Sequence, residues 1–152
     1  MVDFGPTALL RCQQLNMDLS KLDGVYVTHL HGDHIGGLAM LLVHCAFKEE
    51  RTRPFVIAGP PGLEARLNSL WESAYPSVIR RGLPFPLLLR TWDVPGKLEI
   101  MNRVICSIRA QHDRHAIASS LRIETAEYRI AFSGDTGWHD GLVEFVKGTD
   151  MF

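Results

Sequence analysis

Four ligand-type side chains fall within six residues of one segment, His29-Leu30-His31-Gly32-Asp33-His34. At the end of an extended strand, positions i and i+2 point to the same side, so the imidazoles of His29 and His31 can reach one metal ion. Asp33 and His34 follow at once, and a helix is expected from Ile35. A carboxylate at a helix N-terminus is favoured by the free N–H groups and the dipole. Gly32, Gly36 and Gly37 allow the backbone to turn tightly around such a site. Imidazole and carboxylate together suit Zn²⁺, and also Mn or Fe, better than Ca²⁺ or Mg²⁺. One histidine beside a strand would be unremarkable. H-x-H-x-D-H at a strand-to-helix junction points to a metal site.

The elements that must position these side chains can be read on either side. Val2-Asp3-Phe4-Gly5-Pro6 reads as the end of a strand running into a turn. Residues 7–19 read as a helix with Ala8, Leu9, Cys12 and Leu15 on one face. Asp23-Gly24 signals a turn, and Val25-Tyr26-Val27 is a short buried strand that delivers the histidines. Residues 38–47 form a helix apolar nearly all round, hence a buried one, with His44 as a core histidine. A strand is expected over 54–58, stopped by Gly59-Pro60-Pro61-Gly62, and an amphipathic helix over 63–73. Residues 75–90 contain Pro76, Pro84 and Pro86, so irregular structure is expected there. Strands are expected over 97–100, 103–110, 120–124 and 129–132. A loop at Ser133-Gly134-Asp135-Thr136-Gly137 and a helix over 142–147 complete the pattern. Helices first alternate with strands, then strands dominate, which predicts a layered α/β or α+β sandwich in one domain spanning residues 1–152.

Bulk properties narrow the function. The chain has 152 residues, is 46% hydrophobic and 22% charged, and carries a formal net charge of −1, so no obligatory polyanion partner is implied. Arg51, Arg53, Arg80 and Arg81 are the only basic concentrations and are explained by a solvated surface. Three cysteines, Cys12, Cys45 and Cys106, are odd in number and widely spaced. They support neither a disulfide framework nor a thiolate zinc site, and a reducing cytoplasm fits them best. No signal peptide is visible, and the longest apolar run, 38–47, is too short for a membrane. G-x-S-x-G and the P-loop pattern are both absent.

The stretch Thr28-His29-Leu30-His31-Gly32-Asp33-His34-Ile35-Gly36-Gly37-Leu38 resembles the signature loop of the metallo-β-lactamase superfamily. Ser133-Gly134-Asp135-Thr136 resembles its bridging-aspartate loop, in the form found in the ribonuclease Z-like and phosphodiesterase branch. Asp3-Phe4-Gly5 resembles the family's first motif. The resemblance implies an αββα sandwich and two Zn²⁺ ions about 3.5–4 Å apart. His29 and His31 would bind the first metal, Asp33 and His34 the second, and Asp135 both. Asp3 would orient a ligand rather than bind metal. A further histidine is needed ahead of the S-G-D-T strand. His112, directly after the 103–110 strand, is preferred, with His115 as the alternative. His139 is expected at the surface, and Trp138 either packed or walling a pocket.

The implied activity is metal-dependent hydrolysis by a metal-bridging hydroxide, with Asp33 orienting the water or accepting its proton. A phosphodiester is the first choice of substrate, and a small-molecule diester ranks above RNA because no basic arm is evident. Thioester or lactone hydrolysis is the rival within the fold. A catalytically inactive, metal-binding remnant is the rival of another class. The family's final histidine and its opening paired strands have no counterpart here. The resemblance therefore implies a sandwich incomplete at both ends, a weak second metal site, and open sheet edges that favour a homo-oligomer or poor solubility.

Overall fold

The computed structural model describes residues 1–152, the Ile79 side chain excepted. Helix α1 (Ala8–Gln14) is followed by β1 (Gly24–Tyr26), the short helical turn α2 (Gly32–Ile35) and α3 (Leu38–Phe47). Then come β2 (Phe55–Gly59), α4 (Leu63–Ala74), α5 (Pro76–Arg81) and β3 (Leu87–Thr91). The back half is β4 (Gly96–Ile100), β5 (Arg103–Arg109), β6 (Ser119–Glu124), β7 (Arg129–Phe132) and α6 (Asp140–Val146).

The strands form two sheets. The first is parallel, in the order β1-β2-β3, and the second is antiparallel, in the order β4-β5-β6-β7. Alternation along the parallel strands divides their side chains between two cores. Val25, Val27, Phe55 and Ile57 pack against Leu9, Leu41, Leu42, Leu63 and Leu67 from the helices. Tyr26, Val56 and Ala58 pack against Trp92, Ile105 and Leu121, which fill the space between the sheets. A parallel sheet covered on both faces is the arrangement its continuous apolar strands require. Fully burying a side chain such as Ile57 or Leu121 contributes about 2 kcal/mol. On the outer face of the second sheet, Arg122 donates to the Phe145 carbonyl of α6 and lies 5.2 Å from that ring's centroid. The layers therefore run helix, sheet, sheet, helix.

Four local expectations are corrected. The first helix stops at Gln14 rather than running to residue 19, because Asn16 takes a left-handed φ of 52°. Leu15 is left exposed, and the chain continues into a 3₁₀ turn, Leu19–Lys21, capped by Asp18. Residues 75–90 are not irregular throughout. Pro76 opens α5, where a missing N–H costs nothing, and Pro86 immediately precedes β3, its carbonyl accepting the Phe55 N–H. Helix α3 is buried along the face that meets the sheet, while Met40 and Phe47 stay exposed. His44, on the same helix, is half-buried and its Nε2 meets Glu49 Oε1 at 3.0 Å.

Arg51 is the fourth correction, since it is 5% exposed rather than solvated. Its guanidinium donates to the carbonyls of Leu22, Arg53 and Pro54 and lies 5.0 Å from the Phe55 ring centroid. It thereby ties the approach to β1 to the approach to β2. Replacing it by Met keeps the stem but strands several buried carbonyls, each worth roughly 1–3 kcal/mol. Arg51→Met is expected to cost about 3 kcal/mol in urea denaturation. Arg53→Ala, which removes an exposed pair with Asp23 and an exposed hydrogen bond to the Ser20 carbonyl, should cost less, about 1 kcal/mol.

Candidate metal centre

The site lies at the seam where both sheets end on the same side. From the parallel sheet, β1 extends one further pairing, with the Val27 N–H donating to the Ala58 carbonyl, and then delivers His29, which is fully buried. The chain turns at His31, whose carbonyl accepts the N–H groups of His34 and Ile35. The helical turn thus starts at Gly32 rather than at Ile35, and Asp33 and His34 occupy it. Close backbone approach requires glycine at several positions, Gly5 and Gly37 among them. A β-carbon on Gly5 would overlap the Asp33 carbonyl, and one on Gly37 the Gly5 carbonyl. Gly32, by contrast, faces open space.

The antiparallel sheet supplies the rest. His112 follows β5, and Asp135 follows β7 through Gly134, whose φ is +59°. Two buried serines that open β6 hold these parts together. Ser119 donates through Oγ to the Thr28 carbonyl at 2.7 Å, across the sheets. Ser120 donates through Oγ to the Ser133 carbonyl at 2.7 Å, two residues before Asp135.

Five side chains converge in two overlapping groups. Donor atoms of His29, His31 and His112 lie within 4.8 Å of one another, as do those of His29, His34 and Asp135. His112 Nε2 is 3.1 Å from His31 Nδ1, and His34 Nε2 is 3.2 Å from Asp135 Oδ1. Asp135 Oδ2 stands 4.0 Å from His112 Nε2, so this carboxylate faces both groups. Asp33 belongs to neither group. Its carboxylate is exposed, with Oδ2 3.6 Å from His34 Nε2.

The imidazoles are held by their remaining nitrogens. Asp3 Oδ2 accepts from His34 Nδ1 at 2.7 Å and from the Thr28 hydroxyl at 2.8 Å. Having given its proton to Asp3, that hydroxyl accepts from His29 Nδ1 at 3.1 Å. This leaves lone pairs on the two Nε2 atoms. His29 Nε2 is buried and has no hydrogen-bond partner among the described residues. A buried acceptor pointing into a set of imidazoles and a carboxylate is what a divalent cation would satisfy, so the donor set fits Zn²⁺ or a similar metal.

The other candidates lie elsewhere. His115 is exposed, and its Nε2 accepts from Arg114 Nε at 3.0 Å; among the described residues it joins neither group. His139 is half-buried rather than superficial, because its Nδ1 caps α6 by accepting the Leu142 N–H. Trp138 is 76% exposed and so is not packed into the core. Sequence reasoning missed Asp113, whose carboxylate lies 3.6 Å from His31 Nε2. Its position directly after His112 was the available signal. It also missed the serine pair, which no spacing marks as polar links between loops.

Fold and site together define a metallo-β-lactamase-fold protein of the ribonuclease Z-like branch. The chain belongs to the family described as Anti-Pycsar protein Apyc1, whose model matches residues 1–151. It is 38% identical over 73 residues to Anti-Pycsar protein Apyc1 of Saccharibacillus brassicae, covering 48% of this chain and 28% of that one. It is 34% identical over 144 residues to ribonuclease Z of Nitrosopumilus maritimus (strain SCM1), covering 95% of this chain and 46% of that one. The match thus spans less than half the length of either relative. Among solved structures, the human short-form tRNase Z superposes with a TM-score of 0.77 at 20% identity, covering 99% of this chain and 64% of that one. That likeness shows the fold.

The environment sets opposite titrations for two of the histidines. Burial, aided by the neighbouring His34 and His31, pushes the His29 pKa below that of free imidazole. Burial also resists charge on His34, but the Asp3 hydrogen bond and the carboxylates of Asp3, Asp135 and Asp33 outweigh it and raise the pKa. In metal-free protein, imidazole NMR titration should place His29 below, and His34 above, about 6.5. Asp3→Asn should bring the His34 midpoint down. The His34 contribution to stability is present in full below about pH 6.5 and fades as pH rises through its raised pKa. The His29 contribution is present above about pH 6.5 and fades as pH falls through its lowered pKa.

Proposed function

We propose that this chain forms the metal centre of a metal-dependent hydrolase whose substrate is a phosphodiester. The observation that carries this reading is the pair of donor groups sharing His29 and faced in common by Asp135. His29, His31 and His112 would hold a first divalent metal, with Zn²⁺ the best match to the ligands. His34 and Asp135 would hold a second, with Asp33 closing on it from the solvent side. Metal bound there would acidify water into a nucleophile at neutral pH and neutralise charge developing on phosphoryl oxygens.

The chain's own residues have distinct tasks in this scheme. Asp3 and Thr28 fix the tautomers of His34 and His29, so that each Nε2 is free to coordinate. Burial keeps His29 neutral, as a ligand must be. Asp33, exposed beside His34, would orient the attacking water and take its proton. The phosphodiester preference is supported by the ribonuclease Z relatives, and the ligand set itself would serve either a small-molecule diester or RNA. Among the described residues no helix is long and apolar enough to cross a membrane. A cytoplasmic setting agrees with three cysteines that are free in the structure.

The test is turnover of a chromogenic phosphodiester beside a thioester and a lactone, with metal content measured on the same samples. Phosphodiester turnover that falls at least about 100-fold in His31→Ala, and that a chelator removes and Zn²⁺ restores, is the expected result. Preferential turnover of the thioester or lactone would replace the substrate assignment. Bound metal with no turnover of any of the three would favour the inactive remnant.

A further inference from the structure

The loops carrying His112 and Asp135 leave β5 and β7, which are not neighbours, because β6 runs between them. No ladder hydrogen bond can therefore set the distance between the two loops. Two hydrogen bonds between the loops do so instead, and a third inside the Asp135 loop orients the hydroxyl they share. The Gln111 N–H donates to Thr136 Oγ1 at 2.9 Å. Thr136 Oγ1 donates its proton to the Gly137 carbonyl at 2.8 Å. The Gly137 N–H donates to the Gln111 carbonyl at 2.7 Å. Gln111 directly precedes His112, and Thr136 directly follows Asp135. A hydroxyl at position 136 supplies both an acceptor and a donor to this ring, which an apolar side chain of the same shape does not.

We propose that Thr136 is a positioning residue of the metal centre. Its hydroxyl fixes the approach of the His112 loop to the Asp135 loop, and with it the 4.0 Å separation of His112 Nε2 from Asp135 Oδ2. That separation decides whether the three-histidine group and the carboxylate address one metal together. Ligand sets lose affinity when a donor is displaced by more than about 0.5 Å, so a loosened loop pair should be felt in coordination before it is felt in folding. This inference rests on the metal-centre reading above.

The test compares Thr136→Val and Thr136→Ser with the wild type by Co²⁺ and Zn²⁺ titration of metal-free protein against a chromophoric chelator. The visible absorption of the Co²⁺ forms and thermal unfolding of the metal-free forms are recorded alongside. Val keeps the β-branch and removes the hydroxyl, and Ser keeps the hydroxyl. Thr136→Val should bind the first Co²⁺ equivalent about 10–100-fold more weakly, as removal of outer-shell partners does elsewhere, and with altered visible bands. Thr136→Ser should recover most of the affinity and the wild-type spectrum. If Thr136→Val does not fold, Thr136→Ala removes the hydroxyl without placing a methyl against Gln111 and is read in the same way. Affinity and spectrum unchanged in the hydroxyl-free variant would overturn the proposal. A serine variant as impaired as the valine one would overturn it too, since size and not the hydroxyl would then matter. Wild-type protein that binds no Co²⁺ or Zn²⁺ would overturn the metal-centre reading itself, an outcome distinct from both.

Discussion

The Asp3 carboxylate is the constraint on which the rest of the site depends. It accepts the Thr28 N–H and the Thr28 hydroxyl, each at 2.8 Å, and His34 Nδ1 at 2.7 Å. Three donors on one partly buried carboxylate join the chain's opening turn, the end of β1 and the helical turn after it. The backbone follows the same route. Asp3 N–H donates to the Tyr26 carbonyl, Phe4 N–H to the His34 carbonyl, and Gly37 N–H to the Phe4 carbonyl. Asp3 itself sits at a φ of 53°, a left-handed conformation that aspartate tolerates better than most residues. The consequence is chemical as well as mechanical. Because Asp3 accepts hydrogen bonds from His34 Nδ1 and the Thr28 hydroxyl, the tautomers of two imidazoles are decided at a distance from the Nε2 atoms they present.

Apolar packing brings the two sheets together, and polar links decide where their ends meet. The inter-sheet core of Tyr26, Val56, Ala58, Trp92, Ile105 and Leu121 is non-directional and would tolerate small shifts of one sheet against the other. Ser119 and Ser120 remove that freedom. They are adjacent in β6, so their side chains leave opposite faces of the sheet. One reaches the loop before His29, and the other the loop before Asp135. A single strand thus registers both loops of the candidate site. Packing supplies most of the stability, while a few hydrogen bonds of about 1 kcal/mol each supply the positional accuracy.

Much of this was legible in the sequence because the ligand-rich segment is local. H-x-H-x-D-H needs only a strand end and a turn to bring its imidazoles together, and Val25-Tyr26-Val27 marks that strand by composition. Asp135 and His112 were legible only through the family resemblance, since 81 residues separate His31 from His112. What escaped reading depended on tertiary partners. Arg51 looks like a surface cation until three carbonyls and two aromatic rings are found around it. Strand β3 was hidden because Pro84 and Pro86 suggest irregularity, whereas the chain spends both prolines before the first strand residue. Asp33 was read from its place in the motif alone, and its exposed carboxylate stands 3.6 Å from His34 Nε2.

The buried imidazole at the centre of the candidate site weakens the metal-free fold. His29 Nε2 lies out of water with no partner among the described residues, a loss of roughly 1–3 kcal/mol for a buried polar atom. His29 also resists protonation, so it has no ready way to find an acceptor by becoming a donor. Asp3 and Thr28 hold this arrangement in place instead of relieving it, because their bonds to the Nδ1 atoms are what leave the Nε2 atoms free. A site organised in this way is stabilised by whatever cation its donors accept. At a free concentration 100 times the dissociation constant, that linkage is worth about 2.7 kcal/mol. It is comparable to the penalty of the unpartnered nitrogen. On this account any metal affinity of the seam and its local instability would share one cause, the hydrogen bonds that hold the Nδ1 atoms of His29 and His34 and leave the buried His29 Nε2 without a partner among the described residues.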